Sequence, residues 1–357
     1  MEHSENDYFK GRGAQLNPNT RFQKNSYVQE HIEGLDEPFL QKEKTEVIYT
    51  YPKTIINKVD STDIGLAYSL NPYQGCEHGC IYCYARNSHE YWGYSAGLDF
   101  ERKIIVKKNT AELLKKTFSN KNWKPMPIML SGNTDCYQPL EREFGLTRQV
   151  LETCLQFKHP VGVITKNALI TRDLDLLSEL AQHRLVQVMI SITGTDEKVR
   201  QLLEPRTATY KSRFAVLEAL SKHNIPCGVM VAPVIPGINN HEIPSVLELA
   251  AKAGATSAGI TIVRLNGAIA TIFKDWLEKS FPDRAEKVWN QISECHGGTV
   301  NDSRQGTRMS GEGKLAESIM QLFSLSRSRF MPRSGEAREL NCDDFNYRAG
   351  DAQLSLF

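Results

Sequence analysis

Asn71-Pro-Tyr-Gln-Gly-Cys76-Glu-His-Gly-Cys80-Ile-Tyr-Cys83-Tyr84 places three thiols at the spacing C-x3-C-x2-C in a glycine-rich loop. The loop follows the first of six short β-rich runs: Ile64–Ser69, Ile128–Ser131, Val161–Thr165, Val186–Ile192, Pro226–Ala232 and Gly259–Val263. Between them the apolar residues recur with helical period, at Ile81–Tyr91, Leu146–Phe157, Asp173–Gln182, Ser212–Lys222 and Ile243–Ala253. In Asp173–Gln182, for example, Leu174, Leu177, Leu180 and Ala181 line one face, and Asp173 is placed to cap the start. Strands that are apolar on both faces suit a parallel sheet covered by helices. Six βα units in order predict right-handed crossovers, in a barrel, a partial barrel or a doubly wound sheet. In each of these the reactive face lies at the carboxyl ends of the strands.

Polar residues gather at those ends: Thr134 and Asp135, Lys166, Ser191 and Thr193, Pro236-Gly237, and Arg264. Strand ends are also where polar residues ordinarily go, so the weight rests on their coincidence with the cysteines. Three thiolates do not complete a tetrahedral zinc site, whose fourth ligand would be His78 or His89. They can hold three irons of a cubane iron–sulfur cluster and leave the fourth open to a substrate or cofactor.

The rest of the chain sets bounds. Its 357 residues and 40.3 kDa fit two units, or one large α/β barrel with appendages. A hydrophobic fraction of 40% excludes wholesale disorder, and a net charge of +1 excludes a whole-chain polycation. The apolar runs are far shorter than the ~20 residues that cross a bilayer, and no signal peptide is read at the start. Eight cysteines, three of them within eight residues, do not form a secreted disulfide pattern, so a cytoplasmic enzyme is expected. Residues 1–60 are predicted to form an extended arm with a short strand near Val47–Tyr51. Its aromatics Phe22, Tyr27 and Phe39 favour an arm laid on the core. After Gly267 the βα rhythm stops. Helices are expected around Trp276, Val288 and Ile292 and at Leu315–Leu325, with a glycine-rich loop between Gly306 and Gly313 and a polar tail after Arg333.

The cysteine spacing, its place after the first strand and the aromatic Tyr82 before the last cysteine resemble the radical S-adenosylmethionine superfamily. Asn71-Pro-Tyr-Gln-Gly-Cys, Asp135-Cys-Tyr-Gln-Pro-Leu-Glu, Glu204-Pro-Arg-Thr and Ala232-Pro-Val-Ile-Pro-Gly are similar to its spore photoproduct lyase-like branch, over residues 61–270. The resemblance implies an α/β fold, a (β/α)6 partial TIM barrel over 61–270. An N-terminal extended arm (1–60) would precede it, and a C-terminal helical extension, a cap with a tail (271–357), would follow. It implies a 4Fe-4S cluster on Cys76, Cys80 and Cys83 and S-adenosylmethionine (SAM) as second cofactor. Reductive cleavage would give methionine and a 5′-deoxyadenosyl radical that abstracts hydrogen from a substrate, such as a DNA photolesion or other nucleic acid. Another macromolecule or a small molecule is the alternative substrate. Tyr82 would pack against adenine, and Lys166 would meet the carboxylate. Thr134 and Asp135 lie in Ser131-Gly-Asn-Thr-Asp135, the place of the family's Gly-Gly-Glu segment. Ser191, Glu204, Arg206 and Arg264 would complete the cofactor contacts. A reducing partner such as flavodoxin or ferredoxin is implied, and no membrane.

Cys136 is the candidate hydrogen donor to a substrate radical; an ordinary buried cysteine is the competing reading, and the one its residue type favours. Cys154 and Cys227 are read as core. Cys295-His296 and Cys342 are too scattered for a second cluster. The segment Arg102–Lys124 and the C-terminal arginines are read as solvated faces, with a nucleic-acid groove as the alternative. A rival of another class is a non-catalytic, zinc-stabilised nucleic-acid-binding protein.

Overall fold

In the computed structural model, which describes residues 11–22, 45–61, 63, 67–332 and 339–353, the apolar runs pair edge to edge. The strands are β1 (Glu46–Thr50), β2 (Ile56–Lys58), β3 (Tyr68–Leu70), β4 (Tyr73–Gln74), β5 (Lys103–Lys107), β6 (Ile128–Leu130), β7 (Val161–Thr165), β8 (Val186–Ser191), β9 (Cys227–Val234) and β10 (Ser257–Ile262). The main sheet has the order β10-β9-β8-β7-β6-β3-β2. From β3 to β10 its neighbours are parallel, with Val161 opposite Val186 and Val188 opposite Cys227; β2 is antiparallel at the β3 edge. This is the (β/α)6 partial barrel, an open sheet whose strands follow chain order.

β-branched residues fill the strands because both faces are covered. Val163, Val188 and Val229 are fully buried. The helix Tyr210–Lys222 buries Val216, Leu217 and Leu220, and Ile243–Lys252 buries Val246, Leu247 and Ala250, each as one apolar stripe on the sheet. Removing one such side chain costs about 2–5 kcal/mol through lost transfer energy and the cavity left behind. The C-terminal helix Gly313–Phe330 packs Ala316, Ile319 and Phe323 against the same layer.

A second sheet, β1-β5-β4, went unread in the sequence, although Ile104-Ile105-Val106 is a β-branched run and all three are fully buried. Lys103, Lys107 and Lys108 around it give the segment the look of a charged surface. It matters because β4 immediately precedes Gly75-Cys76 and pairs antiparallel with β5, which fixes one end of the cysteine loop. The anticipated strand at Val47–Tyr51 is β1. Of the expected first strand, residues 64–66 lie outside the described residues, as do Tyr27, Phe39 and Arg333; the observed β3 begins at Tyr68.

Two local expectations need correction. The helix anticipated from Ile81 is a 3₁₀ helix, Tyr84–Trp92, because residues 81–83 are held in the loop: the Ile81 N–H bonds the Leu203 carbonyl and the Cys83 N–H that of Cys80. Asp173 does not cap Leu174–Gln182 with its side chain. Its carboxylate is spent on Arg148, Arg172 and the hydroxyl of Tyr137. Asn167 instead caps a preceding 3₁₀ turn, Ala168–Asp173.

The arm segment 11–22 lies on the cysteine loop. The N–H groups of Gly13 and Ala14 donate to the buried carboxylate of Glu101, which also pairs with Arg86. A Cβ at Gly13 would sit 1.6 Å from the Gly79 carbonyl oxygen, so only glycine fits this approach. At the other end of the chain, Arg308 and the Gly306 N–H hold Asp63, while the Ile262 N–H bonds the Met309 carbonyl. The loop 306–309 thus reaches from β10 to the segment before β3 across the open side of the barrel. Among the described residues no helix is long and apolar enough to cross a membrane.

Candidate metal centre

Cys76, Cys80 and Cys83 stand on the loop at the carboxyl end of β3, the first two buried and the third half-buried. Backbone bonds shape the turn: Cys76 N–H to Phe100 O at 2.9 Å, Gly79 N–H to Cys76 O at 3.4 Å and Cys83 N–H to Cys80 O at 3.3 Å. Gly79 has φ 68°, the left-handed region that lets the chain reverse between the first two thiols.

All three thiols are pushed up from their ordinary range. Burial leads for each. For Cys76 the charge of Asp135 follows, then those of Cys80 and Cys83; for Cys83, Arg86 and Lys166 oppose the shift. Raised in this way, the thiols are neutral until a metal takes their protons' place. Of the two zinc candidates only His78 has its ring nitrogens engaged; those of His89 are buried without a hydrogen-bond partner among the described residues. His78 contacts Asp135 and Asn167, and His89 is packed on Tyr94 and Phe100, its ring held neutral by burial to about 4. Among the described residues no three His, Cys, Asp or Glu side chains converge as they would on one ion.

The strand-end residues form a rim around this loop, and the structure separates their roles. Burial alone would raise the Asp135 carboxyl, but its neighbour His78 and hydrogen bonds from the Lys166 N–H and Thr165 hold it at about 2. Its four acceptor positions are filled by Tyr137 N–H, Thr165 Oγ1, Lys166 N–H and His78 Nδ1. Asp135 thus braces the rim. The Thr134 hydroxyl donates to the Tyr73 carbonyl at 2.6 Å. Ser131 takes φ 68°, and its Oγ accepts the Cys136 N–H at 2.8 Å.

Lys166 places its ammonium 6.0 Å from the Tyr82 ring centroid. The Tyr82 hydroxyl donates to Glu204, which is fully buried, paired with Arg213 and 3.1 Å from Thr193 Oγ1. Burial opposes the Glu204 charge, yet Arg213 and Lys166 hold its carboxyl below the usual range. Glu204 therefore holds the Tyr82 hydroxyl. Ser191 is buried at the end of β8, with its carbonyl bonded by Arg213. Arg206 is exposed, and its N–H bonds the His78 carbonyl. Arg264 is half-buried beyond β10; burial and the nearby Arg308 lower its guanidinium.

Cys136 is fully buried in the main core, its thiol pushed well up by burial, as the competing reading of an ordinary core cysteine expects. Tyr84 was missed. It is exposed beside Cys83 and donates to the Gly132 carbonyl at 2.6 Å, a bond across elements that no local pattern announces.

A sequence profile of the Radical SAM superfamily matches residues 70–250. An uncharacterized protein of Mycobacterium tuberculosis is 32% identical over 234 residues, 65% of this chain and 69% of that one. An uncharacterized protein of Methanocaldococcus jannaschii is 27% identical over 250 residues, 70% of this chain and 89% of its own. Spore photoproduct lyase, solved with a dinucleoside spore photoproduct, has a similar fold, with a TM-score of 0.57 and 15% identity over 80% of each chain.

Proposed function

Because this chain belongs to the radical S-adenosylmethionine superfamily, whose cofactors are a 4Fe-4S cluster and SAM, we propose that Cys76, Cys80 and Cys83 each bind one iron and leave the fourth for SAM. When bound, the pair supplies an electron from the cluster that splits SAM into methionine and a 5′-deoxyadenosyl radical able to take hydrogen from an unreactive C–H bond. The observation that carries the reading is the buried set of three thiols on one loop, at the carboxyl ends of parallel strands.

The chain's own groups orient and enclose. Lys166, a flexible point charge beside Cys80 and Cys83, suits the carboxylate of the methionine moiety. Tyr82, its hydroxyl tied to Glu204, offers a ring held in one orientation for adenine. Arg264 and Ser191 stand at the ends of β10 and β8, in reach of the rest of the nucleoside. The loop's burial keeps water from the reacting centre.

For the substrate we favour nucleic acid. Support comes from the 3₁₀ helix after Cys83, which exposes Tyr84, Tyr91 and Trp92. Phe22 meets Tyr91 at 5.2 Å, and the Arg21 guanidinium lies 4.9 Å from the Phe22 ring. Aromatic faces with an arginine make a stacking platform for bases. A reductant of the flavodoxin or ferredoxin kind completes the cycle.

The test is anaerobic reconstitution followed by reduction in the presence of SAM. 5′-Deoxyadenosine should form in the parent and fall to background in Cys83→Ala; turnover retained in that variant overturns the ligand assignment. Ultraviolet-irradiated DNA, assayed for loss of thymine adducts, tests the substrate. Adducts that persist while 5′-deoxyadenosine accumulates would point to another substrate class.

A further inference from the structure

His78 lies between the first two cysteines and is all but fully buried at 1% exposure. Its Nε2 is 3.1 Å from the side-chain amide nitrogen of Asn167. The orientation of that amide is not free, because Asn167 Oδ1 accepts the Leu169 N–H at 3.0 Å in the cap of the following turn. The nitrogen must therefore face the imidazole and donate to Nε2. An acceptor at Nε2 leaves the proton on Nδ1, which points to Asp135 Oδ2 at 3.4 Å. The backbone carbonyl of His78 accepts the Arg206 N–H at 3.3 Å. One residue of the cysteine loop thus touches the strand ends after β6 and β7 with its side chain, and the turn after the helix Glu197–Leu203 with its backbone.

We infer that His78 is a positioning residue, whose side chain keys the cysteine loop to the strand ends after β6 and β7 and so fixes the cluster against the groups that hold SAM. The inference rests on the cluster assignment made above. Physically, the loop carries the iron ligands while the rim carries the SAM contacts, and a cofactor bridging the two needs them in one register. Backbone bonds shape the loop internally, and His78 is the side chain within it that meets Asp135 and Asn167 together.

The test uses reconstituted holoenzyme of the parent, His78→Leu, His78→Gln and Asn167→Leu. Iron and sulfide content, melting temperature, the electron paramagnetic resonance spectrum of the reduced cluster with and without SAM, and the KM for SAM in 5′-deoxyadenosine formation are measured. His78→Leu should keep its iron and its melting temperature, raise KM roughly tenfold and blunt the spectral change that SAM induces. His78→Gln, which can still donate to Asp135, should recover most of both. Asn167→Leu leaves the cysteine loop unchanged in sequence and should show the same change more weakly. Parent-like KM and spectra in His78→Leu overturn the inference. If His78→Leu cannot hold iron, parent-like behaviour of Asn167→Leu overturns it instead, and a raised KM there supports it. A parent that binds no cluster would defeat the cluster assignment, which is a separate result.

Discussion

The hydroxyl of Tyr82, one residue before the last cysteine, donates to the carboxylate of Glu204, and that carboxylate is neutralised by Arg213 in a pair with neither side chain exposed. Arg213 also bonds the carbonyls of Ser191 and Ala208, at 2.9 Å each. The site's aromatic ring therefore depends on a buried ion pair that belongs to the core. Arg213→Met should leave Glu204 buried without its counter-charge and lower unfolding free energy by about 3–5 kcal/mol, read from urea denaturation. Tyr82→Phe, which removes one donor from a still-paired carboxylate, should cost about 1–3 kcal/mol. Equal losses in the two variants would contradict this ranking.

The arm leaves no room for a methyl group at Gly13. Gly13→Ala must push the arm off the Gly79 turn, and overpacking of this kind costs about 1–3 kcal/mol. The expected consequence is faster bleaching of the reconstituted cluster in air, followed by its visible absorbance. Bleaching at the parent's rate would mean that the arm does not protect the loop.

His159 gives a pH dependence far from the cluster. It stacks on Phe118 at 4.1 Å, accepts the Trp123 Nε1–H at 3.1 Å through Nε2, and faces the Pro160 carbonyl with Nδ1. Burial lowers its pKa to about 4. In the unfolded chain it titrates near 6.5, so between pH 6.5 and 4 the unfolded state holds more protons than the folded one. Stability should therefore fall as pH drops through that window, by roughly 3 kcal/mol at most from this group. In His159→Phe the fall over the same window should be shallower by that amount; an unchanged slope assigns the loss to other groups.

Arg308 and Asp63 close the open side of the barrel and are both mostly buried, at 17% and 9% exposure. A double-mutant cycle with Arg308→Ala and Asp63→Ala should return a coupling of about 1–3 kcal/mol. Strict additivity would show that the loop is held by its other contacts.

Cys136→Ala should form 5′-deoxyadenosine within about twofold of the parent rate and lose roughly 1 kcal/mol of stability, as a truncated core side chain does. A large loss of activity at unchanged stability would restore the thiol to the site.

The βα alternation was legible because strands buried on both faces must be apolar throughout, and helices that cover them must repeat near 3.6 residues. The three-thiol spacing was legible for a related reason: the ligands lie close together in one short loop, so their arrangement is local. Harder to read were the short strands β4 and β5, whose pairing joins residues some thirty positions apart, and the 3₁₀ helix after Cys83, where tertiary hydrogen bonds override the apolar period.

By itself the sequence determined the parallel βα order, the cysteine loop after the first strand and the residues at the strand ends. Only the tertiary structure decided what those residues do there. Asp135, Thr134 and Glu204 are polar in any reading. Whether a polar group faces an open site or is consumed within the chain depends on which partners the fold brings to it. Those partners come from distant segments: His78 for Asp135, the Tyr73 carbonyl that accepts from Thr134, and Tyr82 for Glu204. Hydrogen-bond capacity is finite, and once filled it cannot serve a ligand.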